Sequence, residues 1–225
     1  MIGGHALRLP DAFETLAREG LGVLDVGARG GFHPIFKEAS PVLSLVGFEP
    51  DAEECRRLTA ASSAASPFRS VTYLPCALGA ADGQHPLYLL QSRGCSSFYR
   101  PDPRFLGRFP NAVRFDVEAT VSVPVRSLDS LMADAAVHMP KTIDFMKLDT
   151  NSSELDILRG ARRTLREHVV AVEVEVEFTR LYDGQPLFRD VDAFLDEAGF
   201  TLFKLRRQHW VRRPLAHRPH LSAGQ

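Results

Sequence analysis

The segment LDVGARGG, Leu24 to Gly31, constrains this chain more than any other stretch. An apolar run, GLGVLDV, ends in an acid and is followed by Gly27, Gly30 and Gly31. A strand that feeds a glycine-rich turn lets the backbone approach a ligand closely. An acid closing the next strand can accept both hydroxyls of a ribose. Here that acid is Glu49, in Phe48-Glu49-Pro50, at the distance such an acid usually keeps. A dinucleotide turn, G-x-G-x-x-G, would need its second glycine where Arg29 stands, which argues against a pyrophosphate seat. The form D-x-G-x-x-x-G suits a nucleoside without phosphates, with Asp25 set to meet a cationic amino-acid group. S-adenosylmethionine fits it better than NAD.

Strand and helix patterns alternate along most of the chain. A short helix from Pro10 to Glu19, stopped by Gly20, leads in; strands are expected at 21–26, 43–49, 71–76, 143–148, 169–177 and 200–206, with helices near 51–61, 152–166 and 187–198. This is the pattern of a doubly wound α/β sheet, and 225 residues make one domain with a real core. The alternation breaks over 84–126, where HPLYLL and VEATVSVPV read as a strand pair around a stretch rich in Pro, Gly, Ser and Arg. Residues 91–116 are read as a substrate-side insertion, and 207–225 as a basic C-terminal segment.

LDVGARGG, GFEP at 47–50, CALG at 76–79, VPVRSLDSL at 123–131, DFMKLDTNSSELDILRGA at 144–161 and the ending EVEFTRLYDGQPLFRDVDAFLDEAGF keep a definite order and spacing. With these motifs the chain resembles the FkbM-type methyltransferases from about Val23 to Phe203. The resemblance implies a mostly parallel, seven-stranded sheet with a reversed last strand. It also implies methyl transfer from S-adenosylmethionine to oxygen, often a hydroxyl of a sugar or secondary metabolite. It carries the cofactor's methionine part onto Asp25 and Gly27, its ribose onto Glu49, and its adenine onto Cys76 and Ala77, with Ala28, Gly30, Phe48 and Pro50 completing the set. Similar sequences have a glycine in the loop after the fourth strand, in a form like D-x-Q/E-G-x-E; this chain reads Asp149, Thr150, Asn151, Ser152, Ser153, Glu154. If that position holds a positive φ, serine there costs roughly 1 kcal/mol, whereas Asn151 tolerates such angles.

Transfer to a hydroxyl needs alignment and a base. Asp149, closing the fourth strand at the carboxyl edge, is the first candidate; anchoring the loop or the cofactor's amino group is its alternative role. Glu154 is a second candidate, although Asn151 and Glu154 ahead of LDIL also have the spacing of a helix capping box. Glu173, Glu175 and Glu177 alternate with valines. They are either a wet face paired with Arg162, Arg163 or Arg166, or, for Glu175 and Glu177, groups that bind substrate hydroxyls or a metal. Lys147 inside a strand calls for an acid on a neighbouring strand, and His33, just beyond the glycine turn and beside Pro34, reads as a loop-packing residue more readily than as a group reaching the cofactor site. Tyr99 with Arg100, Arg104 and Arg108 offers a grip for a sugar phosphate or simply a solvated loop face.

Lysine plus arginine number 27 against 28 acids, so no global field gathers nucleic acid or anionic membrane. Cys55, Cys76 and Cys95 lack disulfide or zinc spacing, no metal site is expected, and no apolar run is long enough for a membrane span. The opening residues have no signal-peptide layout, and a cytoplasmic location is expected. The oligomeric state is left open. The reading is an O-methyltransferase with a hydroxyl acceptor on a carbohydrate, glycoconjugate precursor or secondary metabolite. A cofactor-binding scaffold impaired by the altered TNSSE loop is the alternative, with an NAD-linked oxidoreductase behind it.

Overall fold

The computed structural model of the chain describes residues 9–62, 66–207, 209–211 and 222–224. Helix α1, Leu9–Glu19, ends at Gly20, whose φ of +77° turns the chain into strand β1, Leu21–Val26. Strand β2, Leu43–Phe48, helix α2, Ala52–Ser62, and strand β3, Ser70–Leu74, follow. Next come β4, Ala77–Leu78, β5, Gly83–Leu90, helix α3, Pro103–Leu106, β6, Val117–Arg126, and helix α4, Leu128–Ala133. Strand β7, Phe145–Leu148, helices α5, Glu154–Arg159, and α6, Arg162–His168, strand β8, Val172–Val174, and helix α7, Phe188–Glu197, complete the main body.

Among the described residues the main sheet has five strands, all parallel, in the order β3-β2-β1-β7-β8. Chain order reverses direction between β1 and β7, so the carboxyl ends of these two strands form the switch point where open α/β sheets hold ligands. Leu24, Val26, Val46, Phe48, Met146 and Leu148 point to one face and pack with α4, α5, α6 and α7 as the main core. Val23, Leu43 and Leu45 pack on the other face with Phe36. Period-two alternation thus sends both sets of apolar residues to cover, and it puts Asp25 and Lys147 on the second face.

Three expectations change. The strand expected at 200–206 is absent: Thr201–Arg207 are all exposed, with Phe203 at 98%, so the alternating apolar residues there find no core to bury against. The seven-stranded sheet with its reversed last strand is therefore not the sheet that the described residues form. The helix expected over 152–166 is two helices, broken where a Cβ on Gly160 would stand 2.0 Å from the Gly79 carbonyl. Asp129 caps the second helix by accepting from the backbone N–H of Arg163 and Thr164. The strand of 169–177 is shortened to Val172–Val174.

The strand pair around the insertion does form: β5 and β6 are antiparallel, with β4 on the other side of β6. Residues 91–116 fold over it with their own small core of Phe105, Leu106, Phe109 and Phe115, joined by Leu90, Leu181 and Tyr182. Residues 1–8 and Arg212 and Arg213 of the basic tail lie outside the described residues; His209–Val211 pairs with Ser222–Gly224.

Candidate functional site

Asp25, next to last in β1, is 1% exposed and stands in register between Gly47 and Lys147. Its carboxylate accepts from Lys147 Nζ at 3.5 Å and from the His33 backbone N–H at 3.4 Å. Burial pushes this carboxyl up, and Lys147 only partly offsets it. Two residues on, Gly27 holds φ +88°, and a Cβ there would stand 2.1 Å from the Asp149 carbonyl. This glycine is demanded by the close approach of two loops, whatever lies beyond them. Gly30, also at positive φ, donates its N–H to Glu54 Oε1 at 3.0 Å. Arg57 grips Glu54 with two 2.7 Å bonds and, with the Gly30 N–H, holds it down to about 2.

Glu49 closes β2 and is 3% exposed. Its N–H donates to the Leu74 carbonyl at the end of β3; beyond it, Cys76 packs against the main core and Ala77 is buried with Val123 and Val125 of the small sheet. Glu49 Oε1 accepts the Asp51 N–H at 2.8 Å, with Arg29 Nη1 at 3.7 Å. Burial raises this carboxyl, and both neighbours work against the rise. Among the other expected contacts, Phe48 is a core side chain whose carbonyl accepts the Ala28 N–H, and Ala28 is itself buried. Cys76 is half-buried, and burial pushes its thiol up to about 11.

On the other side of the switch point, Asp149 follows β7 with a side chain 46% exposed. Lys147 Nζ donates to it at 3.0 Å, so Lys147 lies between two acids as its position in a strand required. Burial works against the ammonium, but Asp25 and Asp149 outweigh it and lift its pKa. Glu175 lies against Asp149 and is pushed up to about 9 by burial and then by that neighbour. Burial and the charges of Glu154 and Asp149 push Glu177 to about 8, while the Gln185 amide donates to it at 2.5 Å. Among the described residues no group of three or more His, Cys, Asp or Glu is arranged to hold a metal ion.

The loop after Asp149 carries the departure seen in the sequence. Asn151 has φ +56° and Ser152 φ +98°, so the serine that replaces glycine does occupy left-handed backbone. Ser152 is 2% exposed, and its hydroxyl is the single buried side-chain polar atom without a partner among the described residues. The two left-handed residues delay the helix start to Glu154, so the capping box between Asn151 and Glu154 does not form. Glu154 instead accepts from the N–H and hydroxyl of Thr150, at 2.7 and 2.8 Å, and is fully buried. Asn151 Nδ2 donates to the Gly94 carbonyl, and Ser97 Oγ donates to the Asn151 carbonyl, so the insertion is docked on this loop.

Other expectations resolve plainly. Glu173 pairs with Arg206, not with Arg162, Arg163 or Arg166; Arg162 lies over the Phe194 ring, and Arg163 donates to the Asp129 carbonyl. His33 caps the turn of 34–37 through its Nδ1. Tyr99 donates to Asp156 at 2.7 Å, tying the insertion to α5, and Arg108 covers the Phe105 ring. Gln185, which also accepts the N–H groups of Leu181 and Tyr182, was not anticipated. The turn residues Asp183-Gly184 just before it were the available signal.

Comparison with known proteins follows the same line. Residues 25–202 match the methyltransferase FkbM domain. A crystal structure of methyltransferase FkbM from Methylobacillus flagellatus aligns with 86% of this chain at 18% identity and a TM-score of 0.49. The chain spans 40% of that protein's length. No protein of curated function matches significantly. Among the described residues, no helix is long and apolar enough to cross a membrane.

Proposed function

The chain belongs to the FkbM methyltransferase family, and from that premise we propose that it transfers a methyl group from S-adenosylmethionine to a hydroxyl. The acceptor is a carbohydrate, a glycoconjugate precursor or a secondary metabolite. Residues 1–225 then act as one methyltransferase domain, with 91–116 over the acceptor side.

The observation that carries the reading is the chemistry of the two strand tips. Asp25 and Glu49 are both buried at adjacent carboxyl ends, and the Gly30 N–H of the turn donates to a carboxylate. A pyrophosphate approaching that turn would meet Glu54; an ammonium and a ribose diol would meet acceptors. This fits an adenosyl sulfonium and speaks against NAD. On this reading Gly27, Ala28, Gly30, Phe48, Pro50, Cys76 and Ala77 complete the cofactor's seat, Ala28, Phe48 and Ala77 from within the packed core.

When bound, the cofactor supplies an electrophilic methyl carbon. Alignment of the acceptor oxygen with it can contribute about 7 to 11 kcal/mol. Asp149 would accept the hydroxyl proton as the C–O bond forms and the methyl–sulfur bond of the sulfonium breaks, the neutral thioether S-adenosylhomocysteine being the leaving group. Glu175, protonated at neutral pH, donates to the acceptor or to Asp149, while Glu154 braces the loop that follows Asp149. The test is incubation with methyl-labelled cofactor and a panel of sugars, nucleotide sugars and oligosaccharides. Label in an acceptor hydroxyl, lost in Asp149→Asn, is the expected result. Label in no acceptor, despite measurable cofactor binding, favours the second reading, a scaffold without turnover, to which the strained Ser152 lends support.

A further inference from the structure

Register places Asp25 of β1, Lys147 of β7 and Glu173 of β8 in one row across the sheet. Glu173 is taken by Arg206 at 2.7 Å, so the buried Lys147 is left to Asp25 and to Asp149. Two carboxylates and one ammonium sum to one negative charge. One further cation completes them.

We propose that Lys147 is a positioning residue: it stands in for the cofactor's ammonium at Asp25 and passes wholly to Asp149 when that ammonium arrives. The inference rests on Asp25 being the seat of the ammonium, as read above. The distances already lean this way, with Nζ 3.5 Å from Asp25 and 3.0 Å from Asp149. A carboxylate as buried as Asp25 protonates when it stands alone, and a protonated acid must lose its proton before it can bind a cation. Lys147 keeps the seat charged in advance. Its transfer then strengthens the hydrogen bond on Asp149, so cofactor arrival orients the group that faces the acceptor. Other groups face this row among the described residues. The His33 N–H faces Asp25, the Tyr73 phenol lies near Asp25, Glu175 lies against Asp149, and the Arg206–Glu173 pair closes the far end.

The test is calorimetric titration of the full chain with S-adenosylhomocysteine, in buffers of differing ionisation enthalpy between pH 6 and 8. Relative to wild type, Lys147→Met is expected to release about one additional proton on binding and to lose roughly tenfold in affinity per pH unit on acidification. Lys147→Arg restores the wild-type behaviour. Equal proton release by wild type and Lys147→Met overturns the proposal. Should Lys147→Met not fold, Asp149→Asn decides: Asp25 is then the only charged partner left to Lys147, which competes with the ligand, so affinity falls about tenfold, and unchanged affinity overturns the idea. If wild type binds no S-adenosylhomocysteine at all, the cofactor reading itself falls, and this inference with it.

Discussion

The two sides of the switch point hold the same residue type in opposite company. On the β1–β2 side the acids meet cations and backbone donors: Asp25 has Lys147 and the His33 N–H, Glu49 has the Asp51 N–H and Arg29, and Glu54 has Arg57 and the Gly30 N–H. On the β7–β8 side, Asp149, Glu154, Glu175 and Glu177 lie near one another, with hydroxyl and amide partners, and Lys147 reaches only Asp149. On the first side, cations and backbone donors work against the rise that burial gives Asp25 and Glu49; on the second, burial and neighbouring acids together raise Glu175 and Glu177. A carboxylate's task is decided by what surrounds it, and one domain can seat a cation on one side and handle a proton on the other.

The harshest way to break this comparison is to disturb the place where the two sides touch. Gly27→Ala puts a Cβ against the Asp149 carbonyl at a positive φ, and should cost about 3 kcal/mol or more of stability, read from the urea midpoint. A smaller loss, about 2 kcal/mol, is expected for Gln185→Ala, which leaves the buried Glu177 without its amide donor. An unchanged midpoint would mean that Gln185 is incidental. Ser152→Gly should go the other way, stabilising by about 1 kcal/mol, because it relieves left-handed backbone and removes an unpartnered hydroxyl.

A pH dependence separates the two sides most sharply. Glu175 and Glu177 titrate near 9 and 8 when folded, against 4.5 for an ordinary glutamate. The folded state therefore keeps protons that the unfolded chain has lost. Their contribution is complete below pH 4.5, declines as pH rises from there, and is lost once pH has passed 8 and 9. Melting temperature should fall over that range, and Glu175→Gln should flatten the fall. Glu54, held near 2, acts in the opposite sense, losing its contribution as acid is added below pH 4.5.

Much of this was legible in the residues. The strands β1, β2 and β7 announce themselves because most of their apolar residues are buried, and LDVGARGG with GFEP marks the carboxyl edge at the switch point. The φ of Ser152 was readable because a serine stood where a glycine belongs. What could not be read depends on contacts distant in sequence. The break at Gly160 comes from Gly79 eighty-one positions earlier, and nothing in RGARR signals it. The arginines of α6 stood near Glu173, Glu175 and Glu177 in sequence only; Phe194 and Asp129 claimed two of them. TLFKLRR alternates like a strand, yet alternation says nothing of whether a core is there to receive it.

The central claim is that Asp25 and Glu49 together grip an adenosyl sulfonium donor. Thermal unfolding with S-adenosylhomocysteine tests it most directly: at a hundred times its dissociation constant the ligand should add about 2.7 kcal/mol of stability. NAD should add none, and both Asp25→Ala and Glu49→Ala should erase the gain. A shift with NAD alone, or one that survives either substitution, would contradict the account.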